Sequence, residues 1–64
     1  MAELYRRLAE LLRASGCRVV RSGKGSHEIW FSPITGRHVT VPRSTKSRHT
    51  ANEVLKQAGL PKAF

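Results

Sequence analysis

The sequence has a single cysteine, no aspartate and no long hydrophobic run, and each shortage excludes a class of protein. Cys17 alone cannot form an internal disulfide, so a disulfide framework is excluded and a reducing cytoplasm is favoured. No stretch approaches the roughly 20 apolar residues that a membrane-spanning helix needs. Polar residues from Glu3 onward leave no hydrophobic region of a signal peptide. We therefore expect a cytoplasmic protein with no membrane partner.

The same shortages limit the catalytic chemistry. A Ser-His-Asp arrangement is excluded because the chain contains no aspartate, so Ser26 is interpreted as a hydroxyl that stabilises a turn. The three histidines and Cys17 lack the paired spacing of zinc ligands, which lie about two to four residues apart. The Gly-Lys-Gly-Ser run at 23–26 lacks the longer spacing of a P-loop. We predict no metal ion and no cofactor.

Acidic residues are scarce, and the resulting charge indicates the kind of partner. Twelve lysines and arginines oppose four acids, which gives a formal net charge of +8 on 64 residues, enough for one small domain over 1–64. Such an excess implies an anionic partner. The basic residues are spread over predicted helices, strands and turns, which disfavours one basic helix lying on a membrane. Nucleic acid is the first choice of partner and an acidic protein the second.

Two helices are predicted at the ends of the chain. In the first, over 3–14, the leucines recur at the spacing of one helical face, and Gly16 is expected to end the helix. In the second, over 51–58, Thr50 and Glu53 form a capping-box pattern and Gly59 supplies the stop. The leucines of the first helix are Leu4, Leu8, Leu11 and Leu12.

Three short strands are predicted between the helices, over 17–22, 27–32 and 38–41, joined by glycine-containing turns. In the middle strand Ile29 and Phe31 share one face, and Glu28 and Trp30 share the other. We expect the helices to cover the Ile29 face and the Trp30 face to stay open to water or a partner. The predicted fold class is α+β, with the order helix, three-stranded antiparallel sheet, helix. The predicted core consists of Leu8, Leu11, Leu12, Val19, Ile29, Phe31, Val39, Val41, Val54 and Leu55.

The turn at 23–26 and the histidine that follows it form the candidate site. Its glycines permit a tight turn, Lys24 offers a cation, and His27 stands at the start of a strand. Histidine can both accept and donate a proton near neutral pH, so this segment is a candidate for holding and cutting a phosphodiester. A β-hairpin turn that ends in a polar residue is the alternative.

Three segments together resemble the HicA family, the small toxins of HicA–HicB toxin–antitoxin systems. They are Gly25-Ser26-His27, Val39-Thr40-Val41-Pro42, and Thr50 followed by Leu55-Lys56-Gln57-Ala58-Gly59-Leu60. Their order and spacing cover positions 8–60. The resemblance implies a fold like the double-stranded-RNA-binding domain, cleavage of mRNA, and inhibition by a HicB antitoxin. It also implies that His27 is the catalytic residue. Many members carry a second histidine where this chain has Ser44.

A mechanism and two alternatives follow from these residues. His27 would act as a general base on a ribose 2′-OH, while Lys24 and Arg43 stabilise the added charge on the phosphate. Ser26 and Lys46 complete the predicted phosphate-binding set. A non-catalytic RNA-binding module and a protein-binding adaptor with a basic face are the alternatives. Tyr5 and Trp30 would either stack on bases, contact an antitoxin, or be partly buried.

Overall fold

The computed structural model describes residues 3–64, which form two helices and a three-stranded sheet. The elements are α1 (Glu3–Ala14), β1 (Arg18–Ser22), β2 (His27–Ser32), β3 (Arg37–Pro42) and α2 (Arg48–Gln57). Strand β2 lies in the centre and pairs antiparallel with both neighbours. The predicted α+β order is confirmed, and it is consistent with a fold like the double-stranded-RNA-binding domain. Across residues 3–64, neither helix has the length and apolar character needed to cross a membrane.

The first helix has the predicted bounds and supplies much of the core. Leu8, Ala9 and Leu12 are buried, and Cys17 follows the helix into the same cluster. The prediction that Leu11 belongs to the core is wrong, since 37% of it is exposed. Leu11 lies about 100° around the helix from Leu12, which is enough to turn it away from the buried face.

The two faces of the sheet are the reverse of the prediction. In the register of β2 and β3, Trp30 lies opposite Val39 and Glu28 lies opposite Val41. Trp30 is 1% exposed and belongs to the cluster formed with both helices. We call this side the covered face; it carries Glu28, Trp30, Ser32, Val39 and Val41.

Within residues 3–64, neither helix packs on the other side of the sheet, which we call the open face. Ile29 and Phe31, which were predicted to be in the core, lie here and are only partly buried. Val19 was also predicted to be buried, but it sits on an edge strand and is 41% exposed. Val19 pairs with Trp30 of the covered face, and the bulge between Val19 and Arg21 places Arg18 and Arg21 together on the open face. The open face carries Arg18, Arg21, His27, Ile29, Phe31, His38 and Thr40.

Polar groups on the covered face are satisfied by partners from distant parts of the chain. The Tyr5 hydroxyl donates to Glu28 Oε1 at 2.5 Å, and Trp30 Nε1 donates to the same oxygen at 3.1 Å. Ser32 Oγ donates to the Ala58 carbonyl at 2.7 Å, which satisfies a carbonyl at the end of α2. These bonds allow polar side chains to face the helices, which explains why the prediction about the faces is wrong.

Helix α2 begins one turn before the predicted start. Ser47, not Thr50, is the N-cap, and its hydroxyl accepts from His49 N at 3.1 Å and Thr50 N at 3.4 Å. The earlier start adds residues 48–50 to the helix, and α2 ends at Gln57 with Ala58 as its C-cap. Gly59 follows the helix at φ +86°, as predicted, and a Cβ there would lie 2.8 Å from a methyl carbon of Ile34. The end of α2 thus packs closely against the turn between β2 and β3.

Candidate functional site

The candidate site lies at the start of β2, where a tight turn leads into His27. Gly23 N donates to the His27 carbonyl at 2.8 Å, and His27 N donates to the Lys24 carbonyl at 3.1 Å. Gly25, at the tip, has φ +61°, which glycine adopts without steric cost. These bonds fix the backbone of His27 on the strand, while its side chain is exposed.

Gly23 has a second role beside the histidine. A Cβ at this position would lie 3.2 Å from the His27 carbonyl oxygen and 3.4 Å from the His27 Cβ. A larger residue would therefore press on the backbone and side chain of His27. The close approach favours glycine at position 23 beside the His27 backbone, in addition to the turn flexibility expected from the sequence.

The imidazole of His27 also contacts the turn directly. Its Nδ1 lies 3.2 Å from the Lys24 carbonyl oxygen. A carbonyl oxygen can only accept, so this contact is a hydrogen bond in the tautomer that carries its proton on Nδ1. That tautomer leaves the lone pair of Nε2 free to accept a proton.

A second connection, residues 43–47, meets the turn at the same edge of the sheet. His27 lies opposite Pro42 in the register, and Arg43 N donates to the Ser26 carbonyl at 2.8 Å. Thr45 is buried, and its hydroxyl donates to the Pro42 carbonyl at 2.5 Å. These contacts hold the connection against the turn, although the two are far apart in the sequence.

The structure brings together four of the five residues predicted for the site. Lys24, Ser26, His27 and Arg43 lie on adjoining backbone segments, and all four are exposed. Lys46 lies further along the second connection, and within residues 3–64 no hydrogen bond ties it to the other four. We call this set the basic rim: Lys24, Ser26, His27, Arg43 and Lys46.

The cations of the basic rim have no carboxylate beside them in the described part of the chain. There, the single ion pair joins Arg6 to Glu3 at 4.0 Å, on the surface of α1. Glu28, the acid nearest in sequence to His27, faces the helices instead and is bonded to Tyr5 and Trp30. The rim is therefore an electropositive edge that favours an anionic ligand.

The two aromatic residues proposed for stacking lie elsewhere. Trp30 is buried on the covered face, with the Arg13 guanidinium 5.3 Å from its ring centroid, so it cannot stack on a base. Tyr5 is partly buried and bonded to Glu28. Burial, the hydrogen bond to Glu28 and the charge of Glu28 raise the pKa of Tyr5 to about 12, against the opposing charges of Arg13 and Arg43. No local pattern in the sequence predicted this contact between α1 and β2.

The described residues place no cluster of three or more histidine, cysteine or acidic side chains where a metal ion could bind.

The comparison with known proteins points to one family. A family model described as "HicA toxin of bacterial toxin-antitoxin" matches residues 5–60. No curated protein and no solved structure matches the chain. The matched residues extend from α1 to the segment after α2 and include the whole basic rim.

Proposed function

Since the chain belongs to the HicA family of toxins from bacterial toxin–antitoxin systems, we propose that it is an endoribonuclease that cleaves mRNA with His27 as its catalytic residue. The observation that carries this proposal is the placement of His27. Its imidazole is exposed beside two cationic segments, and the Lys24 carbonyl holds Nδ1 so that Nε2 is free. Such a group can act as a general base.

The reaction proposed is an attack within the RNA itself. Nε2 of His27 takes the proton from a ribose 2′-OH, and the oxygen attacks the adjacent phosphorus. The bond from phosphorus to the 5′ oxygen then breaks, that oxygen takes a proton from water, and the hydroxide left behind takes the proton from the His27 imidazolium. The products carry a 2′,3′-cyclic phosphate and a 5′-OH. DNA is not a substrate because it lacks the 2′-OH, and the step uses no metal ion.

The cations of the basic rim stabilise the negative charge that this attack creates. Lys24 belongs to the turn that holds His27, and the Arg43 backbone is bonded to the same turn. Both side chains can therefore act on the phosphate under attack. Ser26 and Lys46 hold neighbouring phosphates of the same strand. Ser44 supplies no second imidazole, so a single histidine carries the proton transfer.

A toxin of this family acts together with an antitoxin, and we propose a HicB-like protein that covers the basic rim in the cytoplasm. An acidic surface on that partner would complement Arg43 and Lys46, and covering His27 would block access of RNA. Charge reversal at Arg43 should then slow association with the antitoxin more than it speeds dissociation. Cleavage that continues in the toxin–antitoxin complex would contradict this arrangement.

The test of the nuclease is cleavage of a labelled RNA in the presence of a chelator, followed by analysis of the ends. The unchanged protein should release cyclic phosphate and 5′-OH ends. His27→Ala should keep its fold, because the side chain is exposed at a strand end, and should lose at least about a hundredfold in rate. His49→Ala is the matched control, because His49 is also exposed but lies on α2 outside the basic rim.

The outcomes of this test separate the proposal from its alternative. Near-normal cleavage by a folded His27→Ala variant would rule out the mechanism. RNA binding without cleavage by the unchanged protein would instead favour the non-catalytic RNA-binding module. An equal loss in the His49→Ala control would mean that the assay responds to any change of charge or fold.

A further inference from the structure

The open face of the sheet carries an aromatic pair that the basic rim does not use. Phe31 on β2 lies opposite His38 on β3, and their ring centroids are 5.5 Å apart at an interplanar angle of 66°. Phe31 is only partly buried and His38 is exposed, with no helix packed over them. A flat sheet with accessible rings is the arrangement on which RNA-binding proteins stack unpaired bases.

Cations flank this pair, and the face has no acid. Arg18 and Arg21 on β1 are the register partners of Phe31 and Ile29, so their side chains start from the same face. All four glutamates lie elsewhere: one is Glu28 on the covered face, and the others are on the two helices. The open face therefore complements a polyanion along its β1 edge.

We propose that the open face is a binding site for single-stranded RNA, in which bases stack on Phe31 and His38 while Arg18 and Arg21 hold phosphates. The proposal rests on the nuclease function proposed for His27, and it assigns the substrate class: unpaired RNA. Bases within a duplex are stacked on each other and cannot reach the rings. An aromatic sheet face thus selects single strands over duplexes.

The open face is continuous with the proposed catalytic residue. His27, Ile29 and Phe31 alternate along β2 on the same side of the sheet, and the four residue steps from His27 to Phe31 span about 13 Å. That distance corresponds to a few nucleotides of extended RNA. A strand whose bases lie on Phe31 and His38 can therefore place a nearby phosphodiester at the basic rim.

The composition of the face favours RNA over a protein partner. The centres of protein interfaces are more apolar than the rest of the surface and, although arginine and aromatic residues are enriched there, they are depleted in charge as a whole. Here two arginines stand beside the rings, and Ile29 and Phe31 each expose only part of their surface. Stacking platforms for single strands combine aromatic rings with cations in this way.

The experiment measures binding of a labelled single-stranded oligoribonucleotide and a duplex of the same length, with His27→Ala as the parent so that no cleavage occurs. Phe31→Leu removes the ring but keeps an apolar side chain, and His38→Ala changes an exposed residue. Each should lower affinity for the single strand about tenfold and leave duplex affinity within about twofold. His49→Ala is the matched control.

The contribution of the arginine charges to binding is tested with Arg18→Gln in the same His27→Ala parent. Lys56→Gln on α2 is the control. Arg18→Gln should flatten the dependence of log K on log salt by about 0.7 for the single strand. Lys56→Gln should leave that slope unchanged, because Lys56 is exposed on a helix away from the open face.

The outcomes distinguish this site from the proposed nuclease. Affinity for the single strand that stays within about twofold in His38→Ala and in a folded Phe31→Leu overturns the platform, even if the unchanged protein cleaves RNA. Equal losses for single strand and duplex overturn it too. If Phe31→Leu does not fold, His38→Ala decides alone. A parent that binds no RNA contradicts both proposals, whereas a protein that binds through these rings but does not cleave contradicts only the nuclease.

Discussion

The two faces of the sheet contain similar mixtures of polar and apolar residues, yet one is buried and the other is open. The covered face carries Trp30 together with Glu28 and Ser32, while the open face carries Phe31 and Ile29. What separates them is whether each polar atom has a partner. Glu28 and Ser32 receive theirs from Tyr5, Trp30 and the end of α2. Burial in this small protein therefore follows hydrogen-bond partners as much as hydrophobicity.

The largest difference between the faces is expected from removing their aromatic rings. Trp30→Ala should destabilise the fold by about 3–5 kcal/mol, because Trp30 is 1% exposed and is among the largest buried side chains. Phe31→Ala on the open face should cost about 1 kcal/mol. Denaturant unfolding followed by circular dichroism measures both values. Equal costs for the two substitutions would contradict the assignment of the faces.

The next effect concerns the contact that lets the covered face contain a carboxylate. Tyr5→Phe removes the hydroxyl that donates to Glu28 and leaves the ring in place. A hydrogen bond to a charged group contributes about 1.5–3 kcal/mol, so unfolding at neutral pH should become easier by an amount in this range. The same denaturant titration measures it. A change below about 0.5 kcal/mol would mean that Trp30 alone satisfies Glu28.

The raised pKa of Tyr5 also makes the stability of the protein depend on pH through the same contact. The native protein keeps the phenol proton above the ordinary value of 10.0, because burial and Glu28 raise the pKa to about 12. Between pH 10.0 and about 12, the unfolded chain therefore binds fewer protons than the native protein does. Stability from this group is therefore complete below pH 10 and is lost as the pH rises to about 12. Ultraviolet titration of the phenolate reports Tyr5 directly, since it is the only tyrosine. An ordinary midpoint would contradict the buried contact.

A smaller difference in stability is expected between substitutions of two hydroxyl residues on opposite faces of the sheet. Ser32→Ala removes the bond to the Ala58 carbonyl and should cost about 1 kcal/mol. Thr40→Ala on the open face should stay within about 0.5 kcal/mol, because Thr40 is exposed. Thermal unfolding of the two variants beside the unchanged protein measures the difference. A larger cost for Thr40 would show that the open face supports the fold.

The smallest expected effect concerns the cations of the basic rim and the salt dependence of RNA binding. In the His27→Ala parent, Lys24→Gln and Arg43→Gln should each flatten the salt dependence of single-strand binding by about 0.7 in the log–log slope. This follows if each cation of the basic rim neutralises one phosphate. Fluorescence titration at several salt concentrations measures the slopes. Unchanged slopes in both variants would remove the phosphate-binding role of the basic rim.

The order of elements was predictable because local patterns determine it. Helical spacing of the leucines, glycine at the turns and alternation in β2 each depend on neighbouring residues. The inward face was not predictable, because the partners of Glu28 and Ser32 come from Tyr5 and Ala58, more than twenty residues away in each case. The start of α2 was misplaced because Thr50 and Glu53 match a capping pattern that Ser47 overrides.

The members proposed for the candidate site come from the sequence, whereas their geometry comes from the structure alone. Residue types and spacing identified Lys24 and His27, and the resemblance to the HicA family added weight to the histidine. The contact between Arg43 N and the Ser26 carbonyl joins segments that no local pattern connects. The contact between His27 Nδ1 and the Lys24 carbonyl oxygen likewise depends on where that carbonyl points.

Because Cys17 is buried, its reaction with a thiol reagent reports how often the fold opens. Cys17 is 4% exposed and belongs to the core cluster that contains residues of both helices and the sheet. A soluble thiol reagent reaches it in molecules that have opened around it, so the labelling rate measures how often the structure opens there. Because it is the only cysteine, each labelled chain carries one tag. Disulfide-linked dimers that form during aerobic storage would likewise come from opened molecules. The amount of dimer would therefore increase with the time that the protein has spent open.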